Sequence, residues 1–292
     1  MMDLPLPIDH GLGSPPVTVS RPERLLAAVV FASPHSGRDY PASFIAASRL
    51  DPLRLRRSED GFVDELFAAA PAHGMALVAA NFPRAYCDVN REAWELDPAM
   101  FEDELPPWVN SMSPRVAAGL GTIARLVASG ETIYRRRLRF VEAEARVRAL
   151  WHPFHTALRE EIEAAREAFG ACLLVDCHSM PGGAIAARPT ADIVLGDAHG
   201  TTCGPRIVHL IEEMMLDQGF TVRRNDPYAG GYITRHYGRP REGVHAVQIE
   251  VCRSLYMNEA RMERLDRFED IQWRMTVMIA GLAAGAGGLL ES

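Results

Sequence analysis

Three stretches of the chain share one pattern, a short run of apolar or β-branched residues that gives way abruptly to polar ones. Residues 173–175, LLV, lead into Asp176, Cys177 and His178; residues 27–37, AAVVFASPHSG, lead into His35 and Ser36; residues 243–252 hold Glu250 among apolar neighbours. Runs this short read as buried strands of an open α/β sheet, in which ligands collect beyond the carboxyl ends of the strands. Residues 75–80 and 192–196 predict further strands, and 221–224 an edge strand. Helical spacing appears at 61–73, 141–169, 207–216 and 259–284. In the first of these helices Phe62, Leu66 and Phe67 form the inner face, Glu59 or Asp60 supplies the N-cap, and Gly74 ends it. Pro153 should kink or divide the second, because a proline inside a helix removes a hydrogen bond and clashes with the preceding turn. His152 and His155, which flank that break, read as structural.

The remaining segments lack periodicity. Residues 1–21 are expected to form an irregular arm on the surface or on a neighbouring subunit, which admits a homo-oligomer. Residues 102–114 predict a Pro-rich surface excursion and 225–239 a Gly- and Tyr-rich loop. No linker-like stretch divides residues 22–292, so one large domain is expected there.

Composition narrows the function. The chain has 292 residues, is 48% hydrophobic and 24% charged, and has no apolar run near the roughly 20 residues of a membrane span. No basic-then-apolar leader is visible at the N-terminus, so a cytoplasmic protein is expected. All 31 basic residues are arginine and the net charge is -7, which argues against nucleic acid while leaving room for a local Arg cluster that holds a small anion. Cys87, Cys172, Cys177, Cys203 and Cys252 form no CxxC pair and read as buried free thiols.

Two strand-end histidines and a strand carboxylate are the parts of a metal-dependent hydrolase. Zinc in such sites takes two His and one carboxylate and keeps a position open for water. His35 and His178 supply the imidazoles. Asp60, at the start of the next helix, is favoured as third ligand, with Asp64 one turn on as the alternative. Asp64 can otherwise orient a ligand histidine, as can Asp176, which projects to the same side of its strand as His178. Glu250 fits a general base and acid, since a glutamate between Ile249 and Val251 is costly to bury without a role or partner; the plainer alternative is a salt bridge to Arg253. Arg84 and Arg91 suit a carboxylate, so a small anionic substrate is expected, although either can pair with Asp88 or Glu92. Gly230 and Gly231 beside Tyr232, Arg235 and His236 suggest a segment that closes over the substrate, with Tyr232 and His236 touching it. Cys177 and His178 point to opposite faces of a strand and cannot form a nucleophilic dyad.

SPHSG at 33–37, EDGFVDELF at 59–67, RAYCDVNRE at 84–92, DCHSMP at 176–181, GGYITRHYGRP at 230–240 and HAVQIEVCRSLYM at 245–257 together resemble the N-formylglutamate amidohydrolase family. The resemblance runs from about Val29 to Tyr256. It implies a three-layer α/β/α domain with a mixed, mostly parallel sheet, related to the zinc carboxypeptidases. It also implies metal-dependent hydrolysis of N-formyl-L-glutamate to L-glutamate and formate in histidine breakdown. On this chain it implies His35, an acidic residue at 60 and His178 on Zn2+ or another divalent metal, Glu250 as catalytic carboxylate, and Asn90 with Arg91 on the substrate carboxylate. The alternatives are a deacylase or peptidase with another substrate, and a non-catalytic binding protein on the same scaffold.

Overall fold

The structure, a computed structural model, describes residues 11–182 and 191–285. Seven strands form its main sheet: β1 (Val17–Ser20), β2 (Val29–Ser33), β3 (Ala76–Ala80), β4 (Cys172–Met180), β5 (Ile193–Gly196), β6 (Val222–Arg224) and β7 (Val244–Cys252). Their spatial order is β1-β3-β2-β4-β7-β5-β6. β3, β2, β4 and β7 run parallel, β1 and β5 pair antiparallel with β3 and β7, and β6 lies parallel to β5 at the edge. The sheet is therefore mixed and mostly parallel, as expected. The first strand is a correction: residues 17–20, placed in an irregular arm, pair with β3 and cover its outer edge. Residues 11–16 of that arm are irregular, and residues 1–10 lie outside the described residues.

The four central strands read as near-continuous apolar runs because both their faces are covered. Phe31, Leu173, Val175 and Val247 pack on one face with Ile207 and Ile211 of the helix Pro205–Asp217 and Met275 and Ile279 of the helix Phe268–Gly285. Val30, Leu174 and Ala246 pack on the other with Phe154, Leu158 and Ile162, which recur along one side of the helix His152–Phe169. The result is a three-layer α/β/α arrangement.

Three helix expectations change. The helix over 61–73 shrinks to a turn at Val63–Leu66 and a 3-10 turn at Ala70–His73, divided ahead of Pro71. Neither Glu59 nor Asp60 caps it; the position before the turn is Phe62, with φ 63°. The long helix begins at Phe140 and is interrupted by a π-helical turn at Val147–Trp151, so the break precedes Pro153. The last helix starts at Phe268 rather than 259, because Met257–Asn258 and Glu263–Arg264 form a small antiparallel ribbon. Among the described residues no helix is long and apolar enough to cross a membrane.

Candidate active site

Strand register brings the first four polar groups together. In the parallel pair β4 and β7, Asp176 lies opposite Gln248 and His178 opposite Glu250. Side chains two apart share a face, so these four continue the face that Leu174 and Ala246 present to the core nearer the strand starts. Cys177 and Ile249 point the other way, into the opposite core layer. Burial pushes the Cys177 thiol well above its usual range, and all five cysteines are free and buried. A thiol nucleophile is excluded by this placement.

The turn after β2 delivers His35, and the backbone N–H of Asp60 donates to the His35 carbonyl at 3.0 Å, which fixes Asp60 beside it. Three buried atoms then form a tight triangle: His35 Nδ1 to His178 Nδ1 is 3.2 Å, His178 Nδ1 to Asp60 Oδ2 3.0 Å, and His35 Nδ1 to Asp60 Oδ2 3.3 Å. The outer nitrogens are engaged elsewhere. His35 Nε2 meets Asp88 Oδ1 at 2.8 Å, and His178 Nε2 meets Asp176 Oδ1 at 2.9 Å. A carboxylate only accepts, so the contacts to Asp88 and Asp176 favour a proton on each Nε2, the tautomer in which both Nδ1 atoms would serve as inward ligand atoms. The other Asp60 oxygen, Oδ1, accepts from Arg253 Nη2 at 2.8 Å and from Ser179 Oγ at 3.3 Å, which leaves Oδ2 as the third inward lone pair.

The ligand atoms of His35, Asp60 and His178 all lie within 4.8 Å of one another, close enough for one cation, a metal ion or a shared proton, to sit among them. Ligands on a tetrahedral ion with bonds of about 2.0 Å are about 3.3 Å apart, close to the observed spacing. The donor set of two imidazoles and one carboxylate, each held by an outer partner, fits a divalent metal. The same closeness shapes the acidities. Burial works against ionisation at Asp60, but the two imidazoles outweigh it and hold its carboxyl well below the usual range. At His178 burial opposes the imidazolium, and the charges of Asp176, Asp60 and Glu250 overcome it and raise its pKa well above the ordinary value.

The triangle opens into a cavity of about 310 Å³, whose walls include Asp60, Arg84, Asp88, Arg91, His178 and Glu250. A second cavity of about 160 Å³ shares Arg84, Arg91, Arg115, His178, Tyr228 and Glu250, and adds His35, Asn90 and Gln248. Glu250 Oε1 accepts from Gln248 Nε2 at 2.8 Å, while Oε2 makes no hydrogen bond among the described residues. Burial, with the Asp60 charge adding to it, pushes Glu250 up to about 7 against the opposing pull of His178, Arg253 and Arg84. The salt bridge to Arg253 considered from the sequence is not formed; Arg253 pairs with Asp60 and Glu259 instead.

Arg84 donates to Asp88 Oδ2 through Nη2 at 2.7 Å and Nε at 3.3 Å. Arg91 donates to the carbonyls of Leu120 and Asn90 at 2.7 and 2.6 Å and lies 3.6 Å from Asp88. Asn90 ties the site together: its Nδ2 is 3.3 Å from His178 Nε2, and its Oδ1 accepts from the backbone of Ile233 at 2.8 Å.

Other expectations fare differently. Asp64 stands away from the triangle, where it meets Arg38 at 3.2 Å, and neither ligates nor orients a histidine. Asp88 does for His35 what Asp64 was expected to do, and it was legible only as one of several polar residues crowded into 84–91. Tyr232 and His236 line neither cavity. They sit on a helix, Tyr232–Tyr237, stacked on each other at 4.9 Å, with Tyr232 turned towards Trp151 and His155. The segment 225–239 is thus not an open loop. It is pinned where Gly231 N–H donates to Gln248 Oε1 at 2.9 Å, and a Cβ at Gly231 would come within 2.3 Å of Asn90. Pro227, Tyr228, Ala229, Gly230 and Gly231 are what this segment offers to the smaller cavity. His155 is structural, as expected: it bonds the Val89 carbonyl at 2.8 Å, and burial pushes its pKa down to about 3.

A sequence model described as N-formylglutamate amidohydrolase matches residues 27–257. The crystal structure of an N-formylglutamate amidohydrolase from Ralstonia eutropha JMP134 superposes with a TM-score of 0.87 at 39% identity, covering 93% of this chain and 98% of that one. An N-formylglutamate deformylase of Pseudomonas putida is 28% identical over 237 residues, 79% of this chain and 82% of the relative. A gene product of Agrobacterium tumefaciens, 21% identical, shares the fold with a TM-score of 0.65 over 93% of this chain and 96% of that one.

Proposed function

The chain belongs to the N-formylglutamate amidohydrolase family, and from that premise we propose that it is a metal-dependent amidohydrolase that cleaves N-formyl-L-glutamate to L-glutamate and formate. The observation that carries the metal dependence is the buried triangle of His35 Nδ1, His178 Nδ1 and Asp60 Oδ2, whose spacing and donor set fit a divalent cation. These three residues would hold Zn2+ or another divalent ion. Bound there, such an ion supplies a Lewis acid for the formyl oxygen and makes water a better nucleophile near neutral pH.

The protein groups divide the remaining work. Glu250, with Oε2 free and its pKa raised to about 7, takes a proton from the attacking water and returns it to the departing amine nitrogen. Gln248 holds the other carboxylate oxygen and so fixes the direction in which Oε2 points. Arg84 Nη1 makes no protein bond, and its guanidinium feels the charges of Asp88, Asp60 and Glu250; it is placed to offset negative charge that grows on the formyl oxygen. Asn90 and Arg91 face the carboxylate beside the amide. Asp88 and Asp176 keep the two imidazoles in one tautomer. The same reading places the reaction in cytoplasmic histidine breakdown.

Metal analysis of the purified protein combined with release of formate from N-formyl amino acids and of acetate from N-acetyl ones tests the proposal. The expected result is one divalent ion per chain and turnover fastest on N-formylglutamate. Absence of both metal and turnover would leave a binding protein, and faster release from an N-acetyl substrate would leave a deacylase.

A further inference from the structure

Among the described residues four arginines line the two cavities, and three are already engaged: Arg84 on Asp88, Arg91 on two carbonyls and Asp88, and Arg253 on Asp60 and Ser179. The fourth, Arg115, lines both cavities, and among the described residues its guanidinium makes neither a hydrogen bond nor an ion pair. Some exposed arginines of this chain find carboxylates among the described residues, as Arg38 does with Glu65, Arg136 with Glu142 and Arg148 with Glu144, and others, such as Arg49 and Arg137, do not. What sets Arg115 apart is its place, an unused fork of donors at the wall of the site.

The neighbouring guanidiniums agree. Arg84 and Arg91 both reach the carboxylate of Asp88, whereas no carboxylate among the described residues reaches Arg115. Arg91 feels the crowding: burial above all, then the charges of Arg84 and Arg115, push its pKa below the ordinary value although Asp88 pulls the other way. A guanidinium at a cavity wall without a protein carboxylate is open to one from a ligand.

We propose that Arg115 binds the carboxylate of the substrate farthest from the scissile amide and so selects N-acyl derivatives of dicarboxylic amino acids. The proposal rests on the hydrolase reading above. Asn90 and Arg91 are buried and Asn90 lies against His178, so they serve the carboxylate next to the amide. Arg115 is exposed, on the turn Pro114–Ala117, and meets the far end of the same molecule. A guanidinium and a carboxylate form two parallel charge-assisted bonds, which a neutral carboxamide cannot reproduce.

The test compares N-formylglutamate with N-formylglutamine in the metal-loaded enzyme and its Arg115→Gln and Arg115→Lys variants. A site that loses its partner for a buried or bidentate group discriminates by about 10²-fold, so the ratio of kcat/KM for the acid over the amide should fall by that order in Arg115→Gln, chiefly through KM. Arg115→Lys should recover part of the ratio. An unchanged ratio, or an equal loss on both substrates, overturns the assignment. Glutarate supplies a readout that needs no turnover: it should raise the melting temperature of the wild type and not of Arg115→Gln, and equal shifts in both sink the inference. Lack of turnover in the wild type would instead count against the hydrolase reading, while the glutarate comparison would still decide the role of Arg115.

Discussion

His35 and His178 approach each other through Nδ1 atoms 3.2 Å apart, each with its Nε2 turned outward to an aspartate. The Asp60 carboxylate between them and the two outer aspartates hold both rings in place. A divalent cation in that space would be ligated by all three residues, and the first prediction follows. With free Zn2+ held at about 100 times Kd, the protein should be stabilised by about 2.7 kcal/mol, read as a rise in melting temperature. His35→Ala, His178→Ala and Asp60→Ala should lose both the bound ion and that rise. Asp64→Ala, whose carboxylate meets Arg38, should keep both. A loss of metal in Asp64→Ala with retention in Asp60→Ala would invert the ligand assignment.

Asp88 acts on the metal through His35. Asp88→Asn preserves shape but offers an amide in place of the oxygen that fixes the His35 tautomer at 2.8 Å. Metal affinity should fall about 10–100-fold, the usual effect of removing an outer partner of a ligand histidine. Titration with a competing chelator measures this directly, and an unchanged affinity would show that His35 is oriented by other contacts.

Glu250→Gln keeps size and the bond to Gln248 but cannot take a proton. It should lower kcat at least about 10²-fold with the metal content intact. A carboxylate acts as base only when deprotonated, so the wild-type rate should fall tenfold per pH unit on the acid side. Burial raises Glu250 from 4.5 to about 7, and a bound cation lowers it from there, so the inflection should lie between those two values. Stability follows with a definite sign. Because the folded-state pKa is raised, the native state holds more protons than the unfolded chain between the two values, and the wild type loses stability as pH rises through that window. Glu250→Gln lacks this loss, so the variant should gain on the wild type between pH 4 and pH 8 in melting experiments. An equal pH dependence in both proteins would show that Glu250 is not the group held protonated.

His236→Ala should leave kcat/KM and melting temperature unchanged, since the ring is exposed, meets the rings of Tyr232, Tyr237 and His155 and lines neither cavity. A large loss of activity at unchanged stability would revive the closing segment expected from the sequence.

What the sequence made legible were the residues fixed by strand alternation. His35, His178 and Glu250 stand where apolar runs turn polar at strand ends, and a period of two assigns Asp176 to the same face as His178. Asp60 reached the triangle by another route than the one expected. It does not cap a helix; its backbone bond to His35 and the grip of Arg253 on Oδ1 place it. Asp88 and Arg253 were harder to see, because their partners are 53 and 193 residues away and no local period encodes such pairs. Tyr232 and His236 misled because a Gly-Gly pair was taken for freedom. Gly231 is required by contact: Asn90 occupies the space a Cβ would need.

The pairing of His178 with Glu250 across β4 and β7 acts as a ruler. Neighbouring strands stand about 4.8 Å apart, so the gap between a ligand and the base is set by backbone hydrogen bonds rather than by side-chain packing. Substitutions around the site can change its chemistry without changing that spacing, whereas a one-residue insertion within either strand would turn His178 or Glu250 into the opposite core layer beside Cys177 and Ile249. Evolution of this chain can therefore vary its letters between 172 and 180 and between 244 and 252, but not its count, and changes in length are confined to the connections outside those two strands.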